Sequence, residues 1–147
     1  MPPEVMSEPT PCSPRAADGD RILIIDNDAA LVSALSAGLE REGFQVCVAE
    51  TGQQGRAAAH REHPDLIILD QRLPDTDGLT LCQELADAPE TSGVPSIMLS
   101  GMVRPDIIRR PRAAGGQYFV RKPYDPSALL VLIRHSIDEA RRCHQPA

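Results

Sequence analysis

Asp65-Leu66-Ile67-Ile68-Leu69-Asp70, followed by Gln71-Arg72-Leu73-Pro74-Asp75-Thr76-Asp77-Gly78, is the stretch that decides the fold. Leu66–Leu69 is an unbroken aliphatic run, bounded by Pro64 on one side and by a cluster of turn-forming residues on the other. Such a run reads as a short buried strand. A strand without polar alternation needs cover on both faces, and a parallel sheet flanked by helices supplies it. The strand ends on a carboxylate, Asp70, and the loop begins there.

Toward the N-terminus, Gly52–His63 reads as an Ala-rich helix stopped by Pro64, and Phe44–Ala49 as a strand. Asp28–Arg41 carries Leu31, Val32, Leu35 and Leu39 at helical spacing, with Gly43 behind its end, and Arg21–Asp26 (RILIID) is a further strand. Toward the C-terminus, Gly78–Asp87 is a helix and Pro95–Ser100 (PSIMLS) a strand. Pro105–Ala114 reads as a helix made short or kinked by Pro111. Gln117–Arg121 (QYFVR) is a strand, and Pro126–Arg142 a final amphipathic helix capped by Asp125. Five strands alternating with five helices predict an α/β fold, a doubly wound five-stranded parallel sheet with right-handed crossovers. Residues 1–20, rich in Pro, read as a flexible tail, residues 21–142 as one domain, and residues 143–147 as the C-terminal end.

The 147 residues suffice for one core. With no Trp, two Tyr and two Phe, that core has to be aliphatic. The net charge of -6 argues against general nucleic-acid binding, so no direct DNA binding is expected. No apolar run approaches the roughly 20 residues of a membrane helix, and residues 1–20 do not resemble a signal peptide. A cytoplasmic protein with no membrane contact is expected. Cys12, Cys47, Cys82 and Cys143 lie far apart in the sequence, which reads as reduced thiols. The Gly-rich signatures of nucleotide-binding loops are absent.

In an open parallel sheet, ligands collect beyond the carboxyl ends of the strands. Those ends carry Asp26-Asn27-Asp28, Asp70, Ser100-Gly101 and Lys122-Pro123. Two acids brought together there repel each other, and a hard divalent cation with oxygen ligands relieves the repulsion. Lys122 can pair with Asp70 or with an incoming phosphoryl group, and Ser100 can donate a hydrogen bond to a phosphoryl oxygen. Phosphoryl transfer needs positioning and charge neutralisation, and an Asp nucleophile among such groups supplies both.

These four strand ends together resemble the receiver domains of response regulators, the CheY-like family of two-component signalling. RILIIDND resembles the first-strand acidic pocket, DLIILDQRLPDTDG the phosphoacceptor strand and loop, IMLSG the Thr/Ser strand end, and YFVRKP the Lys-Pro strand end. The spacings of 44, 30 and 22 residues from Asp26 to Asp70, Ser100 and Lys122 in turn agree with the family. The resemblance covers about residues 20–142 and implies a flavodoxin-like (βα)5 fold of strand order 2-1-3-4-5. It implies a single-domain response regulator in which Asp70 takes a phosphoryl group from a histidine kinase or a histidine phosphotransfer protein. Mg2+ would be held by Asp26, Asn27, Asp70 and the main-chain carbonyl of Arg72. Lys122 and Ser100 would hold the phosphoryl oxygens, Ser100 and Phe119 would form the switch, and Pro123 would follow a cis peptide bond. The resemblance implies no turnover enzyme, only self-catalysed phosphorylation and autodephosphorylation, with output to a downstream protein.

Two other readings share this fold: a pseudo-receiver that binds protein without phosphorylation, and a phosphorelay intermediate. Retention of Asp70, Ser100 and Lys122 together argues against the first. Residues 104–121 hold Arg104, Arg109, Arg110, Arg112 and Arg121 against Asp106 alone, which reads either as solvated arginines on a helix surface or as a face for an acidic partner or an ion-paired homodimer. Arg72 and Met102, each two residues beyond a site residue, are read as shielding the phosphoryl group from water. Asn27 falls where the family usually has a second acid; its amide oxygen can still ligate Mg2+ but brings no charge. Asn27→Asp is therefore expected to bind Mg2+ more tightly, and an unchanged dissociation constant in a Mg2+ titration would count against that reading.

Overall fold

The computed structural model describes residues 20–100, 109–111, 116–122 and 124–144. Five strands run parallel: β1 (Arg21–Ile25), β2 (Gln45–Ala49), β3 (Leu66–Asp70), β4 (Ser96–Ser100) and, last in the chain, β6 (Gly116–Arg121). A short strand β5 (Arg109–Pro111) pairs antiparallel with β6 at the sheet edge. The spatial order is β2-β1-β3-β4-β6-β5, so the five parallel strands follow the expected 2-1-3-4-5 order. The helices are α1 (Ala29–Arg41), α2 (Gly52–Glu62), α3 (Gly78–Asp87) and α4 (Pro126–His144).

The expected helix over Pro105–Ala114 is corrected in its described part, Arg109–Pro111, which is β5. Proline explains it. Pro111 offers no N–H to a helix and disfavours helical backbone at Arg110, whereas an edge strand tolerates it. Residues 1–19, with the expected tail, lie outside the described residues, as do Met102 and Pro123 with its expected cis bond; so does half of the 104–121 face.

Each helix begins on a short polar side chain. Asp28 accepts from the N–H groups of Ala30 and Leu31 at 3.1 and 3.2 Å, Thr51 from Gln54 at 3.1 Å, Asp77 from Thr80 at 2.8 Å, and Asp125 from Ala128 at 3.3 Å. These bonds satisfy amide groups that the first helical turn leaves without intrahelical partners. α2 stops at His63, which takes a left-handed φ of 51° immediately before Pro64.

The strand pleat sorts the core into two halves. Ile22 and Ile24 of β1, Leu66 and Ile68 of β3, and Ile97 and Leu99 of β4 pack with Leu35 and Leu39 of α1 and with Leu129, Ile133 and Ile137 of α4. Their strand neighbours Leu23, Ile25, Ile67, Leu69 and Met98 pack on the opposite face with Ala58 and Ala59 of α2 and with Leu81 and Leu85 of α3. Burial of one large aliphatic side chain stabilises by about 1.5–3 kcal/mol, and both faces of β1, β3 and β4 contribute. At the amino end of the strands the buried Arg21 donates to the Glu62 carbonyl at 2.9 Å and to Gln45 Oε1 at 3.0 Å.

Cys47, fully buried on β2, is disulfide-bonded, which corrects the expectation of reduced thiols for that residue. Separation along the chain, the ground for that expectation, does not measure distance in the fold. Among the described residues no helix is long and apolar enough to cross a membrane.

α2 lies close on β1 because Gly55 has no side chain. A Cβ there would stand 2.5 Å from Cδ1, 3.0 Å from Cγ1 and 3.1 Å from Cγ2 of the fully buried Ile25. Helix propensity alone favours Ala over Gly by about 0.5–1 kcal/mol; overpacking a filled core costs about 1–3 kcal/mol. The steric cost wins. Gly55→Ala is expected to lower unfolding stability by about 1 kcal/mol, read as a lower midpoint in urea with an unchanged slope.

Candidate functional site

Three strand ends converge on one ammonium group. Asp26 follows β1, its N–H donating to the Ala49 carbonyl at 2.9 Å, and its side chain is almost wholly buried, with 2 % exposed. Asp70 is the last residue of β3. Lys122 follows β6, where its own N–H donates to the Ser100 carbonyl at 2.8 Å. Lys122 Nζ lies 3.4 Å from Asp26 Oδ2 and 3.2 Å from Asp70 Oδ1. Three residues that lie 44 and 52 positions apart in sequence thus meet because the parallel sheet brings its carboxyl ends to one edge.

The charges act on one another. Burial raises the Asp26 pKa most strongly; the Asp28 N–H, donating to Oδ1 at 2.9 Å, lowers it, the Asp70 charge raises it and Lys122 lowers it, for a net upward shift. For Lys122, burial alone would lower the pKa, but the charges of Asp26 and Asp70 and their hydrogen bonds outweigh it and the net shift is upward. Lys122 is therefore held charged, beside an acid that ionises at a free-energy cost.

Ser100, at the end of β4, is 4 % exposed, and its hydroxyl donates to Gln71 Oε1. Phe119 on β6 is half-buried against the half of the core shared by α2 and α3. Asn27 is exposed in the turn between Asp26 and Asp28. Arg72 is exposed and bridges antiparallel to Asp77. Direct side-chain contacts thus unite Asp26, Asp70 and Lys122; Asn27 and Arg72 join them by chain adjacency, and Ser100 meets Gln71.

The loop beyond Asp70 is braced from two directions. The Gly78 N–H donates to the Gln71 carbonyl at 2.6 Å, and a Cβ on Gly78 would stand 2.4 Å from the Asp70 carbonyl oxygen. Only glycine permits that approach. Asp75 accepts from the N–H groups of Gly52 and Gln53 at 2.7 and 3.0 Å; the Gly52 bond is the main reason its pKa is lowered. A carboxylate at a helix N-terminus meets unpaired amides and the positive end of the helix dipole. The turn-forming composition of residues 71–78 does not by itself reveal the contacts of Gln71 and Asp75. The signal for Gln71 was its place one residue past Asp70, opposite Ser100.

Among the described residues no group of three or more His, Cys, Asp and Glu side chains gathers as a metal site. The oxygen donors brought together at the strand ends are the Asp26 and Asp70 carboxylates, with Asn27 next to Asp26 in the chain and Arg72 two residues beyond Asp70. This set fits a small hard cation that keeps several waters and takes one or two carboxylates, as Mg2+ does, and lacks the nitrogen and sulfur ligands of zinc. Asp26 carries the cost of that fitness. A folded-state pKa above the unfolded value means that its contribution to stability is present below the unfolded pKa and is lost as pH rises through the folded pKa. Asp26→Asn is expected to raise unfolding stability at neutral pH by about 0.5–2 kcal/mol while weakening Mg2+ binding. Urea titrations at several pH values test this: the gain should shrink as pH falls through the range in which Asp26 protonates, and a destabilised variant would refute it.

Residues 22–134 match the response regulator receiver domain family. The chain is 35 % identical over 127 residues to the DNA-binding dual master transcriptional regulator RpaA of Synechocystis, covering 86 % of this chain and 53 % of RpaA. It is 35 % identical over 115 residues to the DNA-binding response regulator MtrA of Mycolicibacterium paratuberculosis, covering 78 % of this chain and 49 % of MtrA. The chain thus spans about half the length of these curated relatives. Among solved structures it resembles a CheY-like receiver domain protein from Methanospirillum hungatei, with TM-score 0.72 and 27 % identity over 85 % of this chain and 98 % of that one. It also resembles the receiver domain of sensor histidine kinase PA1611 from Pseudomonas aeruginosa, described with a magnesium ion coordinated in the active site cleft, with TM-score 0.70 and 25 % identity over 82 % of this chain and 98 % of that one. The expectation of no direct DNA binding is corrected by these relatives, two of which are named as DNA-binding regulators. Net charge averaged over one unit does not report on a whole protein. The chain belongs to the response regulator receiver domain family.

Proposed function

We propose that this receiver is a phosphoacceptor switch in which Asp70 takes a phosphoryl group from a phosphohistidine on a sensor histidine kinase or histidine phosphotransfer protein. The observation that carries the reading is Lys122 Nζ within 3.4 Å of both Asp26 and Asp70. A carboxylate whose counter-ion also faces a second buried acid is positioned for chemistry rather than for stability.

An Asp70 carboxylate oxygen attacks phosphorus and forms the new P–O bond as the P–N bond to the donor imidazole breaks. The imidazole nitrogen leaves with that electron pair and takes a proton from solvent. Asp26, Asp70, the Asn27 side-chain oxygen and the Arg72 carbonyl would hold Mg2+, which supplies positive charge beside the phosphoryl oxygens. Lys122 neutralises charge at the same oxygens, fixed by its backbone bond to Ser100. The Ser100 hydroxyl donates to a phosphoryl oxygen, and Phe119, which pairs with Met98 on the same face of the sheet two residues back from the Ser100 level, carries the change to the surface. Hydrolysis of the acyl phosphate resets the switch, so the reading includes no turnover of a separate substrate. A kinase on one side and a downstream protein on the other are the partners it implies, in the cytoplasm. The reading concerns the receiver unit and does not depend on what that unit is joined to.

Incubation with acetyl phosphate and Mg2+ followed by intact-mass measurement tests it. One phosphoryl adduct is expected, absent from Asp70→Ala and reduced in Lys122→Ala. No adduct, with no binding of fluoroberyllate either, would leave a protein-binding module instead.

A further inference from the structure

We infer that Gln71 is a latch that holds the Ser100 hydroxyl away from the phosphoryl site and so sets how readily the receiver takes its active form. The inference rests on the phosphoacceptor reading of Asp70 and names a regulator of that same site.

The pleat places the two residues together. Leu69 and Met98 share the α2/α3 side of the sheet, and alternation carries that side two residues on, to Gln71 and Ser100. The β3–β4 register pairs Asp70 with Leu99, so the next step sets Gln71 against Ser100. The Gln71 N–H prolongs the ladder by donating to the Leu99 carbonyl at 3.3 Å, and its carbonyl accepts from Gly78 at 2.6 Å. With both main-chain groups bonded, the origin of the Gln71 side chain is fixed and only its rotamer can change. The contact that results is the hydrogen bond from Ser100 Oγ to Gln71 Oε1, made by a buried serine.

A serine hydroxyl has one proton to donate. In this structure Gln71 accepts it. A phosphoryl oxygen on Asp70 requires the same proton, so the two acceptors compete. The phosphoryl oxygen is charged and makes the stronger bond, but each activation has first to break the Gln71 contact. Gln71 acts through Ser100 and is a positioning residue.

The test titrates the full chain with fluoroberyllate in excess Mg2+, follows bound fluoride by fluorine NMR, and measures Mg2+ affinity separately. Gln71→Leu is expected to bind fluoroberyllate about fivefold more tightly, the worth of one neutral hydrogen bond, with Mg2+ affinity unchanged. Gln71→Ala serves as a second variant with the same expected direction. In the Ser100→Ala background, substitution of Gln71 is expected to change nothing. Unchanged or weaker binding in both Gln71 variants, or equal tightening with and without the Ser100 hydroxyl, would overturn the latch alone. No bound signal from the wild-type protein would overturn the phosphoacceptor reading and the latch with it.

Discussion

Two carboxylates and one ammonium group at the carboxyl edge of the sheet are the constraint around which the domain is arranged. Asp26 is nearly excluded from water, where an isolated charge is costly, and Asp70 stands close enough to raise that cost. Lys122, in contact with both, makes the arrangement tolerable. Its backbone bond to Ser100 ties the lysine to the end of β4, so the charge cluster and the hydroxyl share one piece of scaffold. A purely structural protein would fill this edge with apolar side chains.

The remainder of the fold is the means of holding that edge still. Apolar strands covered on both sides fix the ends of β1, β3 and β4 relative to one another. Small residues set the close approaches: Gly55 lets α2 reach Ile25, and Gly78 lets α3 start against the Asp70 carbonyl. Asp75 joins the loop beyond Asp70 to the first turn of α2. Rigid support for reactive groups is what preorganised charge stabilisation demands.

Much of this was legible in the sequence because it is local. Aliphatic runs of strand length, punctuated by Pro and Gly, located the five parallel strands, and Asp125, read as a cap, located the start of α4. Strand ends in an α/β order then nominated Asp26, Asp70, Ser100 and Lys122. What escaped was of two kinds. Around Pro111 a helical spacing competed with a residue that cannot complete a helix, and the described backbone at Arg109–Pro111 follows the proline. Gln71, Asp75 and the bonded state of Cys47 depend on what lies across the sheet or across a loop, which periodicity along one strand does not encode.

The pleat also divides labour. Alternation from Ile24, Ile68 and Val120 assigns Asp26, Asp70 and Lys122 to the layer shared with α1 and α4, while Ser100 and Phe119 belong to the layer shared with α2 and α3. The sheet between them is a dry aliphatic partition. Under the proposed function, chemistry occurs in one compartment and its report is issued from the other, with traffic confined to the rim where the strands run out.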